Sequence, residues 1–242
     1  MSYREFAPPP DLAPYVECFW TRRSEAAAGR SDRVLPDGCT DIIFDLSGET
    51  FPAGVVVGTM TAPLRFENRA ADLLAVRFRP GGAASFLRIP ARRLTDRRVP
   101  LHEIWGNEAR RPEGSFAAAD PGDRLRQLAA ILRSRIIEPS PSTDLATNAV
   151  ALLRRGIAVE RIAAELGVTR QHLSRLFVDR VGIGPKRLGR ILRFRKAVRL
   201  IAKDRHAGLA GIALSLGWSD QAHMNRDFRE LAGSPPAAFR QR

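Results

Sequence analysis

Ile162-Ala163-Ala164-Glu165-Leu166-Gly167 returns as Ile212-Ala213-Leu214-Ser215-Leu216-Gly217, with Ile, Ala, Leu and Gly matching at an offset of 50. Beyond the glycine the second stretch gains one residue. The matches then resume at an offset of 51: His172 with His223, Arg175 with Arg226, Phe177 with Phe228, Gly182 with Gly233 and Pro185 with Pro236. Self-similarity of this kind marks a duplicated supersecondary unit.

Each copy has a readable shape. Val159, Ile162, Ala163 and Leu166 fall at i, i+3, i+4 and i+7, one apolar face of a helix. Gly167 supplies a residue that takes positive φ and ends it. Thr169 is placed to cap the next helix, in which Leu173, Leu176 and Phe177 face the core. Gln171, Ser174, Arg175 and Val178 face the other way. The second copy repeats the plan: Leu209, Ile212, Ala213 and Leu216 pack, Gly217 turns and Ser219 is expected to cap. Met224, Phe228 and Leu231 then pack, while Ala222, Asn225 and Arg226 point outward. Helix, glycine turn and a second helix with a polar face make a helix-turn-helix, whose second helix enters the major groove of DNA. Arginine can bridge guanine O6 and N7, and Gln or Asn can bridge adenine N6 and N7.

Lys186 to Lys203 joins the copies. It holds eight Lys or Arg among 18 residues, with Ile191, Phe194, Val198 and Ile201 stepping by three and four. It reads as one amphipathic helix of about 27 Å, the scale needed to set two reading helices near one DNA turn of about 34 Å apart. Its charged face either touches phosphates, where contacts add affinity without sequence information, or is solvated, the more usual place for any single residue there; a phosphate role for Arg190 predicts that its loss weakens all sequences alike.

Charge follows the same division. The net charge of +13 on 242 residues splits into +1 over residues 1–150 and +12 over residues 151–242. A local cationic field of that size favours polyanions. No apolar run nears 18 residues, so no transmembrane helix is expected. Met1 to Pro10 lacks a basic-then-apolar signal pattern. Two cysteines, Cys18 and Cys39, make no disulfide scaffold and no Cys-rich zinc module, and four scattered histidines make no His-dense metal site. The expected location is the cytoplasm, with no cofactor and no metal.

The N-terminal half carries strand signals. Asp41-Ile42-Ile43-Phe44-Asp45-Leu46 follows the turn-like Pro36-Asp37-Gly38, and Val55-Val56-Val57 lies between Gly54 and Gly58. Leu74, Val76 and Phe78 alternate with Ala75 and Arg77 until Pro80-Gly81-Gly82. Short helices are expected over Ala83 to Arg88 and near Leu101 to Trp105, a surface loop over 106–121, and a longer helix over Asp123 to Ile137. Pro139-Ser140-Pro141-Ser142 breaks the chain. The expected fold class is α+β. A mixed N-terminal regulatory domain, residues 1–138, precedes an all-α DNA-binding domain, residues 142–242, whose two helix-turn-helix units share a long linker helix.

The C-terminal pattern resembles the AraC/XylS family of bacterial transcription regulators. The residues that carry the resemblance are Ile162-Ala163-x-x-Leu166-Gly167-Val168-Thr169, His172-Leu173-Ser174-Arg175-Leu176-Phe177, Gly182-x-x-Pro185 and Arg193-Phe194-Arg195-x-Ala197. The second copy adds Ile212-Ala213-x-x-x-Gly217-Trp218-Ser219-Asp220-Gln221-Ala222-His223-Met224, Arg226-Asp227-Phe228 and Gly233-Ser234-Pro235. Trp218 stands where the family more often has Phe or Tyr, an apolar exchange. The resemblance implies a monomeric module reading adjacent major grooves of double-stranded DNA, with base-reading positions at Gln171, Ser174 and Arg175, then Gln221, Ala222, His223, Asn225 and Arg226. Ala222 offers only apolar contact. More loosely, Pro14 with Trp20, Leu35-Pro36-Asp37-Gly38-Cys39 with Asp41, and Phe78-x-Pro80-Gly81-Gly82 resemble an N-terminal domain of a subset of these regulators. The architecture implies a small-molecule effector or self-association as a homodimer for that half, and RNA polymerase as a further partner. No catalytic residue is expected.

Other chemistry was weighed in the N-terminal half. Cys39 beside Gly38 could be a thiol sensor or an alkyltransferase nucleophile if its pKa were lowered, or a buried apolar residue opening a strand. Asp37, Asp41 and Asp45, spaced by four, allow a paired-carboxylate site or turn and surface roles. His102-Glu103 lacks the second histidine of a zinc protease motif, leaving a surface place or a local turn. Trp20 and Trp105 either line a pocket or fill the core.

Overall fold

The computed structural model describes residues 2–25, 31–47, 54–67, 70–110, 116, 120–137 and 141–240. Eight strands occur among these: β1 (Ser2–Phe6), β2 (Val16–Ser24), β3 (Ser31–Val34), β4 (Thr40–Asp45), β5 (Val55–Val57), β6 (Leu64–Glu67), β7 (Ala71–Phe78) and β8 (Arg98–Pro100). Six form one sheet in the order β1-β2-β7-β4-β5-β8, every neighbour antiparallel, while β3 and β6 pair as a separate ribbon. The helices described are α1 (Ala84–Leu87), α2 (His102–Trp105), α3 (Pro121–Arg135), α4 (Pro141–Arg154), α5 (Val159–Glu165), α6 (Arg170–Arg180), α7 (Pro185–Lys203), α8 (Leu209–Ser215) and α9 (Gln221–Ala232). The molecule is α+β, a sheet-rich N-terminal part followed by a helical C-terminal part.

Register explains the first core. Ile42 pairs with Val76, Phe44 with Leu74, Phe19 with Val76, and Val56 with both Ile42 and Val99. One face of the pleat therefore carries Phe19, Ile42, Phe44, Val56, Leu74, Val76 and Phe78. That face packs on Phe86 from α1, Leu101 just before α2, Trp105 from α2, and Leu128 and Leu132 from α3. The opposite face buries a smaller group, Cys18, Trp20 and Ala75. Helix α3 starts where Asp120 accepts backbone N–H bonds from Gly122 (2.8 Å) and Asp123 (2.9 Å), with Pro121 in the first turn.

The expected strands at 41–46, 55–57 and 74–78 and the expected short helices are all present. Strands β1, β2, β3, β6 and β8 had no expectation. Of the expected loop 106–121, Gly106–Arg110 forms a 3-10 turn, while 111–115 and 117–119 lie outside the described residues, as do Pro139 and Ser140 of the break. Pro141 opens α4.

The second core is helical: Ala149, Leu153, Ile162, Leu173, Phe177, Ile191, Phe194, Met224 and Phe228 meet in it, and Leu35, just after β3, joins them. The sheet-rich part thus touches the helical part closely. Gly38 has φ +83°, and a Cβ there would lie 2.5 Å from Leu188 Cδ1 on α7. Only glycine allows that backbone and that approach together. Thr59 Oγ1 donates to Val181 O (2.7 Å) and Thr95 Oγ1 to Gly182 O (2.7 Å) at the end of α6. Arg92 pairs with Asp179. Arg33 donates to Ala232 O (2.5 Å) and Ser234 Oγ (2.9 Å) at the end of α9.

Candidate nucleic-acid interface

In the first unit α5 buries Val159, Ile162 and Ala163. Gly167 turns the chain at φ +65°. Thr169 Oγ1 then accepts the backbone N–H of His172 at 3.1 Å, capping α6 as its place in the pattern predicts. Leu173, Leu176 and Phe177 are buried, whereas Gln171, Ser174 and Arg175 are exposed on the opposite side. Val178, placed with them by spacing, is half-buried.

The second unit repeats this with one difference at its turn. Gly217 takes φ +83°, but the cap is Asp220, not Ser219. Asp220 Oδ1 accepts the backbone N–H of His223 at 2.6 Å, and that contact holds its carboxyl below the ordinary range. Ser219 instead donates to Asp220 Oδ2 (3.1 Å) and lies 3.2 Å from His223 Nδ1. The extra residue after the glycine is the reason. The offset of 51 that pairs His172 with His223 pairs Thr169 with Asp220. On α9, Gln221, Ala222 and Arg226 are exposed, and His223 and Asn225 are half-buried. Met224, Phe228 and Leu231 pack inward.

A buried polar network, missed in the sequence, holds α9. Asp227 is 2% exposed. It accepts from Trp218 Nε1 (2.8 Å), Arg190 Nη2 (2.7 Å) and Nε (3.2 Å), and Arg193 Nη2 (3.4 Å). Burial pushes its pKa up, but the Arg190 and Trp218 hydrogen bonds and both guanidinium charges outweigh that and hold it low. Arg193 also donates to Gly217 O (2.9 Å) and lies over the Trp218 ring at 4.6 Å. Arg190 reaches Glu230 as well (2.6 Å). Two expectations change. Arg190, read as a phosphate contact or a solvated side chain, is bound to Asp227 and Glu230 of the second unit, because a buried carboxylate one helix away outcompetes solvent. Trp218 is no plain apolar exchange, since its N–H makes a bond that a phenylalanine lacks. A signal existed: Asp227 stands at the buried position that Leu176 occupies in the first copy. Lys196, Arg199 and Lys203 are exposed on α7 and carry no ion pair among the described residues.

The N-terminal candidates settle into structural places. Cys39 is buried, and burial pushes its thiol pKa well up, so the nucleophilic thiolate is disfavoured. Cys18 is buried too, and burial raises its pKa to about 11. Arg77 Nε lies between Asp41 Oδ1 (3.3 Å) and Asp37 Oδ2 (3.6 Å). Asp37 also accepts from Cys39 N (2.9 Å) and Asp45 from Ser47 N (3.1 Å). His102 is exposed. Trp105 lies in the core and donates to Phe86 O (3.3 Å), and Trp20 is buried on the other sheet face. Among the described residues no three His, Cys, Asp or Glu side chains gather as a metal site. No described helix is long and apolar enough to cross a membrane.

Fold and site define a class, a DNA-binding transcription regulator with a tandem helix-turn-helix. More narrowly, residues 162–242 match a family model described as a helix-turn-helix domain and form a domain of the AraC type. Residues 4–100 match a second model, described as a domain of unknown function (DUF6597). Among solved structures, an AraC-type transcriptional regulator from Chromobacterium violaceum is 26% identical over 41% of this chain and 91% of its own, with TM-score 0.38. The C-terminal domain of AraT from Geobacillus stearothermophilus is 23% identical over 43% and 88%, with TM-score 0.39. ToxT from Vibrio cholerae O395 is 9% identical over 91% and 96%, with TM-score 0.46. A search of curated proteins returned no match.

Proposed function

We propose that the protein is a sequence-specific regulator in which residues 142–242 bind duplex DNA and residues 1–138 modulate that binding. Helix α6 reads one major-groove segment with Gln171, Ser174 and Arg175. Helix α9 reads the next with Gln221, Ala222, His223, Asn225 and Arg226. The observation that carries this reading is the repeated division of both helices: each buries one apolar face and leaves a face with an exposed arginine, Arg175 or Arg226, at matched positions. The hydrogen bonds from Thr59, Thr95 and Arg33 to the ends of α6 and α9 support the modulating role, because they join the sheet-rich part to both reading helices. A small-molecule effector, a second copy of the chain and RNA polymerase are the partners this role calls for.

Selection from a random duplex library at fixed, near-physiological salt tests the reading, with wild type and Arg175→Ala side by side. The expected result is a site of two short blocks about 10 base pairs apart. Arg175→Ala should blur one block and cost about 1–3 kcal/mol on the selected site. Failure of residues 1–242 and of 142–242 alike to enrich any site would overturn it.

A further inference from the structure

Two points fix the axis of a rod, and α9 is held at two. One is Asp227, near its middle, bound by Trp218, Arg190 and Arg193. The other is its C-terminal end, and the group there comes from the other half of the chain. Arg33, in β3, donates from Nη1 to Ala232 O (2.5 Å) and from Nη2 to Ser234 Oγ (2.9 Å). Arg33 and Ala232 are 199 residues apart in the sequence. The Ala232 carbonyl is one that a helix leaves unpaired at its end, and a cation there also meets the negative end of the helix dipole. The Arg33 guanidinium lies over the Phe239 ring at 5.7 Å, and Phe239 packs edge-on against Phe228 of α9 at 5.6 Å. Leu35, two residues after Arg33, is buried in the helical core. The stretch from Arg33 to Leu35 thus completes the second unit from outside residues 142–242.

This contact has leverage over the outward face. Gln221 lies about 9 Å along the axis from Asp227, and Ala232 about 7.5 Å along it in the other direction. With Asp227 as pivot, a shift of about 1 Å at Ala232 swings Gln221 by about as much. A side chain on a base edge works within a donor–acceptor window of about 2.7 to 3.2 Å, so such a tilt breaks its bond. The apolar packing of Met224, Phe228 and Leu231 is nondirectional and fixes the tilt less sharply. Helix α6 has no such dependence on Arg33, since the carbonyls at its end, of Val181 and Gly182, take Thr59 and Thr95. We propose that Arg33 is a positioning residue that determines the specificity of the second unit: by fixing the end of α9 it sets where Gln221, Asn225 and Arg226 meet the bases. The effect on specificity rests on the proposed reading of DNA by α9; the fixing of α9 does not.

The full chain carrying Arg33→Ala tests it beside wild type, by selection from a random duplex library and by amide hydrogen exchange. Arg175→Ala identifies the block that α6 reads. In Arg33→Ala the other block should lose at least about threefold in discrimination between preferred and mismatched base pairs, while the α6 block stays as in wild type. A general loss of folded protein does not move that ratio between blocks. Exchange should quicken along residues 221–232 and not along 170–180. Both blocks weakened alike, or neither, in a folded Arg33→Ala overturns the proposal. So does exchange that is unchanged in α9 or quickened equally in both helices. Should Arg33→Ala not fold, Ser234→Ala, which removes one of the two bonds from the other side, decides by the same two readouts. Exchange quickened along α9 alone, with no second block selected by wild type, leaves the fixing of α9 standing. The reading of DNA by α9 then falls, and the role of Arg33 in specificity falls with it.

Discussion

At the middle of α6 the buried residue is Leu176, and at the matching place on α9 it is Asp227. The first unit is thus closed by apolar packing alone at that point. The second is closed by a carboxylate that gathers Trp218, Arg190 and Arg193. Outside support differs as well. The end of α6 receives two threonine hydroxyls on its carbonyls, while α9 receives one arginine. Two copies of one motif have kept the same outward face and changed how the helix behind it is held. An apolar contact is forgiving and nondirectional. A buried charged network fixes geometry but loses heavily when one member is removed.

Asp227→Ala tests that contrast with the largest effect. It removes the shared acceptor of an indole N–H and of two guanidinium groups, which keep only Glu230 (Arg190) and Gly217 O (Arg193). The expected loss is about 2–4 kcal/mol, below that of a fully buried pair because Arg190 is 35% exposed. Urea denaturation of variant and wild type measures it, and a loss under about 0.5 kcal/mol would show the network to be ornamental. The pH dependence has a sign. A carboxyl held below its ordinary value contributes stability that is present above about pH 3.9 and is lost as pH falls through the lower folded value. Asp227→Asn should therefore be less stable than wild type at neutral pH, with the gap closing toward pH 2.

How far the sequence reaches follows the same line. The duplication, both glycine turns and the outward faces were readable because they depend on local spacing and on apolar period. The strands at 41–46, 55–57 and 74–78 were readable for the same reason. Strand β1 was not, since Tyr3, Arg4 and Glu5 are exposed and carry no alternation to read. The Asp227 network was not, because its partners lie on α7 and at the turn, 34 to 37 and nine residues away. Gly38 announced a turn, but its contact with Leu188 joins segments 150 residues apart, and no local pattern encodes it.

Thr59→Val and Thr95→Val address the outside support with a middle-sized effect. Each removes a hydroxyl and strands a carbonyl, of Val181 or Gly182, at the end of α6. Each should cost about 1–2 kcal/mol. Amide hydrogen exchange should quicken along α6 more than along α9, whose outside contact is Arg33. Equal quickening in both helices would mean that the sheet-rich part grips the helical part as one block.

The smallest effects concern the caps, where the units differ by one residue type. Thr169→Ala should cost about 1 kcal/mol, the usual loss for a hydroxyl cap, and the cost should not vary with pH. Asp220→Ala removes a cap that is also an anion at a helix N-terminus. The carboxyl is held low by the His223 N–H and by Ser219, so its contribution is present at neutral pH and fades as pH falls through the folded value. Ser219→Ala leaves that backbone bond in place and should change stability by less than about 0.5 kcal/mol. Melting the three variants at pH 7 and pH 3 separates them. A Ser219→Ala loss as large as that of Asp220→Ala would return the cap to Ser219 and undo the one-residue shift between the two turns.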